Sequence, residues 1–410
     1  MNQLSPDDNG VFSAGVSNEF NYSDGDAAEQ QLRSILRSAD DLSSQSVELA
    51  EQIVDWPTEY HLSPTRANLL RGMNLDGVSR VLELGCGCGA ISRYLGEQAD
   101  IQVDAVEGSA IRAGLAAARC RDLENVSIST GNFNEMSFPE SHYDLVLFVG
   151  VTEYAGRFSD RATDQEALQD LLALAKRACR EGGRIVIAIE NRTGLKYMLG
   201  ANEDHYGVPY IGIDNYPQSS GIRTYSQTEW LEQIEQAGFA ATRFAYPFPD
   251  YKVPSLLIRE DTDNTKAELH SVLSRVRSRD YLAPFDLGEQ EARLWQAATE
   301  AGVLGQLANS FLIVLGSDQQ HVDALLDFSV VEYPHSDFSV QPREQAIQAE
   351  AAKQGAQTES ARKLRQMTAE LIALKEHAQH LQGKVDLMAQ SRGWSFLNLV
   401  RRLFGRSSIK

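Results

Sequence analysis

Between residues 80 and 189 short apolar runs alternate with longer stretches in which apolar residues return at helical spacing. The runs at 80–84, 101–106, 126–129, 144–149 and 183–189 predict strands. The stretches at 90–98, 110–121 and 164–180 predict helices between them. Strands that alternate with helices imply a parallel sheet covered on both faces. A sixth strand is predicted at 240–245, after a helix opened by Ser226 with Glu229 three residues on, the pairing of a capping box. A seventh, at 311–315, follows a long charged interval, too late for a short crossover, and is expected as an antiparallel strand at the sheet edge. The fold class read from this pattern is α/β, a doubly wound, mainly parallel, seven-stranded sheet with an antiparallel last strand.

Flanking segments carry other patterns. Residues 1 to about 25 are rich in Ser, Asn, Asp and Gly and read as disordered; Leu32, Ile35, Leu36, Leu49 and Ile53 then suggest two short packing helices. A helix is expected over 61–73, with Ser63 as cap, Pro64 in its first turn and Leu69, Leu70 and Met73 on its apolar face. Beyond 320 the pattern changes. Residues 321–345 read as a linker, and Leu364, Met367, Leu371, Leu374, Ala378, Leu381, Val385 and Met388 form a heptad seam, so 346–390 is expected to be a coiled coil that self-associates or pairs with a partner helix. A single amphipathic helix docked on the domain is the competing reading. The domains expected are thus an N-terminal extension to residue 55, a catalytic domain over 56–320, the linker, the coiled coil and a basic tail over 391–410.

Composition narrows the function. The formal charge of -19 excludes a general nucleic-acid binder, which needs a basic surface. The polar, acidic start and the lack of a long apolar run point to the cytoplasm. Four cysteines, Cys86, Cys88, Cys120 and Cys179, are too few for a disulfide framework. Cys86 and Cys88 could suggest a metal pair, but no second Cys/His pair stands at ligand spacing, and no metal is expected.

The chemistry concentrates at 81–90, where an apolar run ends in Glu83, Leu84 and the turn Gly85, Cys86, Gly87, Cys88, Gly89 before a helix. Small residues there let a ligand approach backbone and the helix N-H groups. The spacing also fits a dinucleotide fingerprint, which keeps a NAD-dependent oxidoreductase as an alternative. Three features favour S-adenosylmethionine. Glu83 can hold the cationic methionine end and would repel a pyrophosphate. Gly89 completes the shape Glu-x-Gly-x-Gly-x-Gly, and the antiparallel last strand is one that a dinucleotide domain normally lacks. Glu107, ending the second strand beside Gly108, can accept both ribose hydroxyls. After the third strand Asn132 can bond the adenine edge and Phe133 pack on its face, unless they are a turn residue and a core ring.

Together with Tyr60-His61-Leu62-Ser63-Pro64, Gly150 to Ala155, Ala188 to His205 and Tyr246 to Lys252, this loop resembles bacterial class I methyltransferases of surface-polysaccharide gene clusters, domains often joined to glycosyltransferases or coiled coils. The resemblance runs from about residue 55 to 316. It implies a cofactor site at Glu83, Gly85, Gly87, Glu107 and Asn132 and a sugar or glycan acceptor. The chain departs from the family at Thr152, where Leu is usual, and at Asn132, where Asp is frequent.

Ligands of open α/β sheets sit beyond the carboxyl ends of the strands, which brings 150–154 and 191–205 beside the cofactor. His205 is the expected general base, since an unperturbed imidazole is mostly neutral at cytoplasmic pH; Glu153 is the second candidate. Tyr154, Asn191 and Tyr206 are expected to line the acceptor pocket. A methyltransferase-like scaffold without turnover is the other alternative.

In the tail, Trp394, Leu397, Val400, Leu403 and Phe404 recur at helical spacing, and Arg392, Arg401, Arg402, Arg406 and Lys410 face no acid. A basic amphipathic helix of this kind can lie on an anionic membrane, here the inner face of the plasma membrane, each basic residue contributing about 1 kcal/mol. The full chain is therefore expected to sediment with anionic liposomes in a salt-sensitive manner, and a chain ending at residue 390 to stay in the supernatant. Equal recovery of both in the supernatant would refute membrane attachment.

Overall fold

The computed structural model describes residues 7, 10–13, 25–217 and 221–334, all within the first of two compact units, Met1–Val340 and Gln341–Lys410. The expected coiled coil at 346–390, the tail at 391–410 and the end of the linker lie outside the described residues, as does most of the N-terminal stretch.

Among the described residues ten strands form one sheet: β1 (Val11–Ser13), β2 (Arg80–Leu84), β3 (Gln102–Glu107), β4 (Val126–Thr130), β5 (Tyr143–Val149), β6 (Cys179–Glu190), β7 (Ala241–Phe248), β8 (Leu256–Arg259), β9 (Ser310–Gly316) and β10 (Val330–Glu332). Their order is β1-β4-β3-β2-β5-β6-β9-β7-β8-β10. From β1 to β6 every pairing is parallel, whereas β9 runs antiparallel to both β6 and β7. The order reverses between β2 and β5, and that switch point opens a crevice at their carboxyl ends.

The strands separate two cores because alternate residues face opposite sides. Leu82, Leu84, Val146, Phe148, Ile185, Ile187 and Ile189 enter one core, with Trp230 and Trp295. Val81, Leu145, Leu147, Val186 and Ala188 enter the other. Helices Ala90–Gly96, Ala110–Arg119 and Asp164–Ala178 lie where the periodicity predicts them. The Ser226 and Glu229 capping box is formed.

The expected antiparallel strand is present but is not at the edge. All seven residues of β9 are buried, and an apolar strand of this kind needs neighbours on both sides, which β6 and β7 supply. The β7–β8 hairpin and β10 then extend the sheet outward. The globular part consequently continues past 320: Val322, Leu325 and Leu326 are buried, and β10 pairs with β8. Nor are residues 1–25 uniformly irregular, since β1 pairs with β4 and buries Val11.

The two short helices near the N-terminus, Asp26–Ser38 and Val47–Glu51, pack as expected through Leu32, Leu36, Leu49 and Ile53, against Leu62 and Leu115. The helix expected over 61–73 is instead broken. One helix, Trp56–Leu62, is opened by a capping box of Asp55 and Thr58, and its chain turns extended at Ser63 because the residue before a proline avoids helical geometry. Ser63 then caps the short turn Pro64–Ala67, and Asn68–Arg71 follows. This break sets Tyr60, His61 and Arg66 over the crevice.

Candidate functional site

One cleft lies at the switch point, with about 1260 Å³ of space free of protein atoms, solvent at its mouth included. Its near end is the glycine turn. Gly85, Gly87 and Gly89 all have positive φ, the left-handed region open to glycine. A Cβ on Gly85 would stand 2.4 Å from Val151 Cγ2, and one on Gly89 would stand 2.9 Å from the Ala116 backbone. Gly89 thus packs against the next helix and is not among the lining residues; Gly85, Cys86, Gly87 and Gly108 are.

Glu107 ties this turn down. Its Oε2 accepts from Gly87 N at 2.8 Å and its Oε1 from Ser109 N at 2.9 Å. A carboxylate oxygen has two lone pairs, so each retains one for a ribose hydroxyl. Glu83, also buried, accepts from Ser92 Oγ at 2.5 Å. Burial pushes its carboxyl up to about 7, with the Glu107 charge adding to the rise and Ser92 and Arg66 opposing it. Phe133 lines the cleft as expected, but Asn132 does not. Its side chain accepts from Asn134 N and donates to Glu135, closing a local turn at the surface.

The far end is built from strand and loop termini that are distant in sequence. Glu190 ends β6, and Lys252, after β7, pairs with it while standing 3.3 Å from Asp204. Asp204 also accepts from Lys196 Nζ at 3.1 Å and from the Tyr197 hydroxyl, and the Lys196 and Lys252 ammonium groups hold it well below the usual carboxylate range against the effect of burial. Asp250 accepts from the Tyr281 hydroxyl at 2.7 Å. Above this floor His205 lies between two acids, with Nδ1 2.9 Å from Glu203 Oε1 and Nε2 3.4 Å from Glu153 Oε1. Tyr154 meets its ring edge-on at 5.4 Å.

Both candidate catalytic residues, His205 and Glu153, therefore face the cleft, but the protonation state expected for His205 is corrected. Burial disfavours the imidazolium, yet the hydrogen bonds to Glu153 and Glu203 and the charge of Glu190 outweigh it, so the ring is held well above its usual range. Both nitrogens then donate, and neither is free to take a proton. Two acceptor-pocket expectations also change. The Asn191 amide is consumed by the Gln306 and Ala308 carbonyls and by Thr193. The Tyr206 hydroxyl donates to Ile222 O, and the residue does not line the cleft. In their place stand Trp56, Tyr60, Arg66, Glu190, Asp204, Tyr251, Lys252 and Tyr281. The signal available was a charged residue ending an apolar run, as at Glu190.

Cys86 and Cys88 are buried free thiols, burial raises the Cys86 thiol well above its ordinary value, and Cys120 is pushed up to about 12.

Residues 81–183 match the family described as "Methyltransferase domain", a span that runs from β2 into β6 and contains the glycine turn, Glu107 and Glu153. The chain is 31% identical over 77 residues to the cyclopropane-fatty-acyl-phospholipid synthase of Escherichia coli, covering 19% of each chain, so it spans about a fifth of that relative's length. Among solved structures it is similar to phosphoethanolamine N-methyltransferase 2 of Haemonchus contortus in complex with S-adenosyl-L-methionine, at 16% identity and a TM-score of 0.36 over 62% of this chain and 52% of the other. It is also similar to a SAM-dependent methyltransferase of Archaeoglobus fulgidus, at 18% identity and a TM-score of 0.34 over 59% and 87%. Strand order and glycine turn define a Rossmann-like α/β fold, and residues 81–183 of it are similar to methyltransferase domains, the likeness on which S-adenosylmethionine is taken below as the cofactor.

Two outcomes follow for the cofactor end. Glu107→Ala removes a charge-assisted, two-point contact and should weaken S-adenosylhomocysteine binding by about 1.5–3 kcal/mol in calorimetry; unchanged affinity would move the ribose contact elsewhere. A cationic ligand favours ionised Glu83, whose carboxyl loses its proton as pH rises through about 7. S-adenosylmethionine should accordingly bind about 5- to 10-fold more tightly at pH 8 than at pH 6 relative to Glu83→Gln, which cannot ionise. Parallel pH profiles for the two proteins would contradict this.

Proposed function

We propose that the chain transfers a methyl group from S-adenosylmethionine to a hydroxyl of a sugar or glycan intermediate in bacterial surface-polysaccharide biosynthesis. The observation that carries this reading is the far end of the cleft, where buried oxygens of Glu153, Glu190 and Asp204 lack a hydrogen-bond partner beside the rings of Trp56, Tyr154 and Tyr281. Unpaired carboxylate oxygens call for donors, which the hydroxyls of a sugar provide, and aromatic faces suit its apolar C-H faces. The family resemblance supports the polysaccharide setting.

Bound in the cleft, S-adenosylmethionine supplies a methyl group on an already activated leaving group, so the protein's task is chiefly alignment. Glu107 would hold the ribose and Glu83 would face the positive charge. Gly85 and Gly87 let the cofactor approach backbone. At the acceptor end Glu153 Oε2 takes the proton of the attacking hydroxyl. His205, itself held by Glu203, fixes Glu153 in place. The walls of Tyr154, Trp56 and Tyr281 exclude water.

The test is S-adenosylhomocysteine release across a panel of nucleotide sugars and short glycans, with the methylated position read by mass spectrometry. Glu153→Gln should lower turnover by about 100-fold or more while cofactor affinity holds, since general-base contributions are of that order. Turnover confined to amine acceptors would overturn the hydroxyl reading. Cofactor binding without turnover on any acceptor would favour a scaffold.

A further inference from the structure

We propose that Glu153, Glu190 and His205 form a binding site for a divalent cation at the acceptor end of the cleft. One ligand-capable atom of each residue lies within 4.8 Å of those of the other two. An octahedral ion with bonds of about 2.1 Å sets adjacent donors about 3 Å apart and opposite donors about 4.2 Å apart, so small side-chain adjustments complete the geometry.

A second observation is independent of this proximity. Glu153 and Glu190 are only 3% and 1% exposed, both line the cleft, and Oε2 of each has no hydrogen-bond partner. A buried carboxylate oxygen without a donor or cation is costly. Lys252 does not answer the need at Glu190, because it engages the other oxygen, Oε1.

The surroundings are those of a ligating histidine. Glu203 Oε1 meets His205 Nδ1 at 2.9 Å, and Glu203 Oε2 accepts from the backbone of His205 and Tyr206, each at 2.8 Å. The carboxylate behind the ring fixes its orientation and leaves Nε2 toward Glu153. With an ion present, the neutral tautomer keeps its proton on Nδ1 and offers the Nε2 lone pair. Charge points the same way. Among the described residues Glu190, Asp204 and Asp250 share a network of ion pairs with Lys196 and Lys252, and Glu153 and Glu203 pair with His205, so carboxylates outnumber cations in both groups. One imidazole and two carboxylates suit Mn²⁺, Fe²⁺ or Zn²⁺. The inference is of binding alone: an ion held by Glu153 engages the carboxylate proposed above as base, so that base role describes the ion-free site.

Binding is measured without cofactor or acceptor, so its failure is distinct from failure of the methyl-transfer reading. The full chain, stripped with a chelator and dialysed, is titrated with Mn²⁺ while free ion is followed by electron paramagnetic resonance. Saturable uptake of about one ion per chain, displaced by Zn²⁺, is expected. Glu153→Gln and Glu190→Gln should weaken it at least tenfold, and Glu203→Gln, acting through His205, by about 10- to 100-fold. Each variant is checked by thermal unfolding; replacing a carboxylate by an amide relieves like charge in this network, so the glutamine variants decide the matter even if His205→Ala does not fold. No saturable uptake of Mn²⁺ or Zn²⁺ by the unmodified chain would overturn the proposal, as would undiminished uptake in Glu153→Gln and Glu190→Gln.

Discussion

A carboxylate carried to the end of a buried strand must find compensation where it stands, because the sheet around it offers no water. This constraint recurs across the molecule. Glu83 stands near the end of β2, Glu107 ends β3 and Glu190 ends β6, and all three are buried. Each recruits a different partner: a hydroxyl from Ser92, two backbone amides from Gly87 and Ser109, and an ammonium from Lys252. The partners come from the loops and helices that follow the strands, so satisfying the acids also shapes the rim. The glycine turn is positioned in this way, since the amide of Gly87 is bound by the last residue of the neighbouring strand, and the same contact presents Glu107 to a ligand.

The cofactor half of the site was legible in the sequence because its elements are local. Glu83, the three glycines and the following helix lie within one strand-turn-helix unit, and Glu107 is one crossover further on. Residues that close are placed relative to each other by secondary structure alone. Asn132 shows the limit. A short polar side chain after a strand can serve a ligand or its own turn, and the choice depends on the local backbone, here settled by Asn134 N and Glu135.

The acceptor half was legible only for Glu153, Tyr154 and His205, which follow their strands directly; the rest was not, for a topological reason. Glu153, Glu190 and Asp204 meet because β5 and β6 are neighbours, whereas Lys252 and Tyr281 join them from the segment beyond β7, a strand that β9 separates from β6. An apolar run at 310–316 carries no mark that says whether it lies at an edge or in the interior. Burial on both faces and pairing on both sides decide that, and they belong to the assembled sheet. The helix break at Ser63–Pro64 differs, because its signal is local: Ser63 caps the turn that Pro64 opens, as the sequence suggests, and a residue before proline also ends the helix in front of it.

Protonation at His205 shows the same dependence in electrostatic form. As an isolated side chain it is the group best suited to exchange protons near neutrality. Two flanking carboxylates and the charge of Glu190 reverse that suitability, while Glu153, which alone would be an ordinary surface acid, becomes a buried residue of the cleft wall with an unpaired oxygen. The reactive character of each residue is thus a property of the pair. An isolated histidine among hydroxyls would give a base with no fixed partner, whereas Glu203, His205 and Glu153 in series fix the orientation of every member from a single backbone anchor, the amides of His205 and Tyr206 on Glu203. A rigid chain of this kind can hold an acceptor oxygen against a donor without rearranging, which is what an in-line displacement asks of its site.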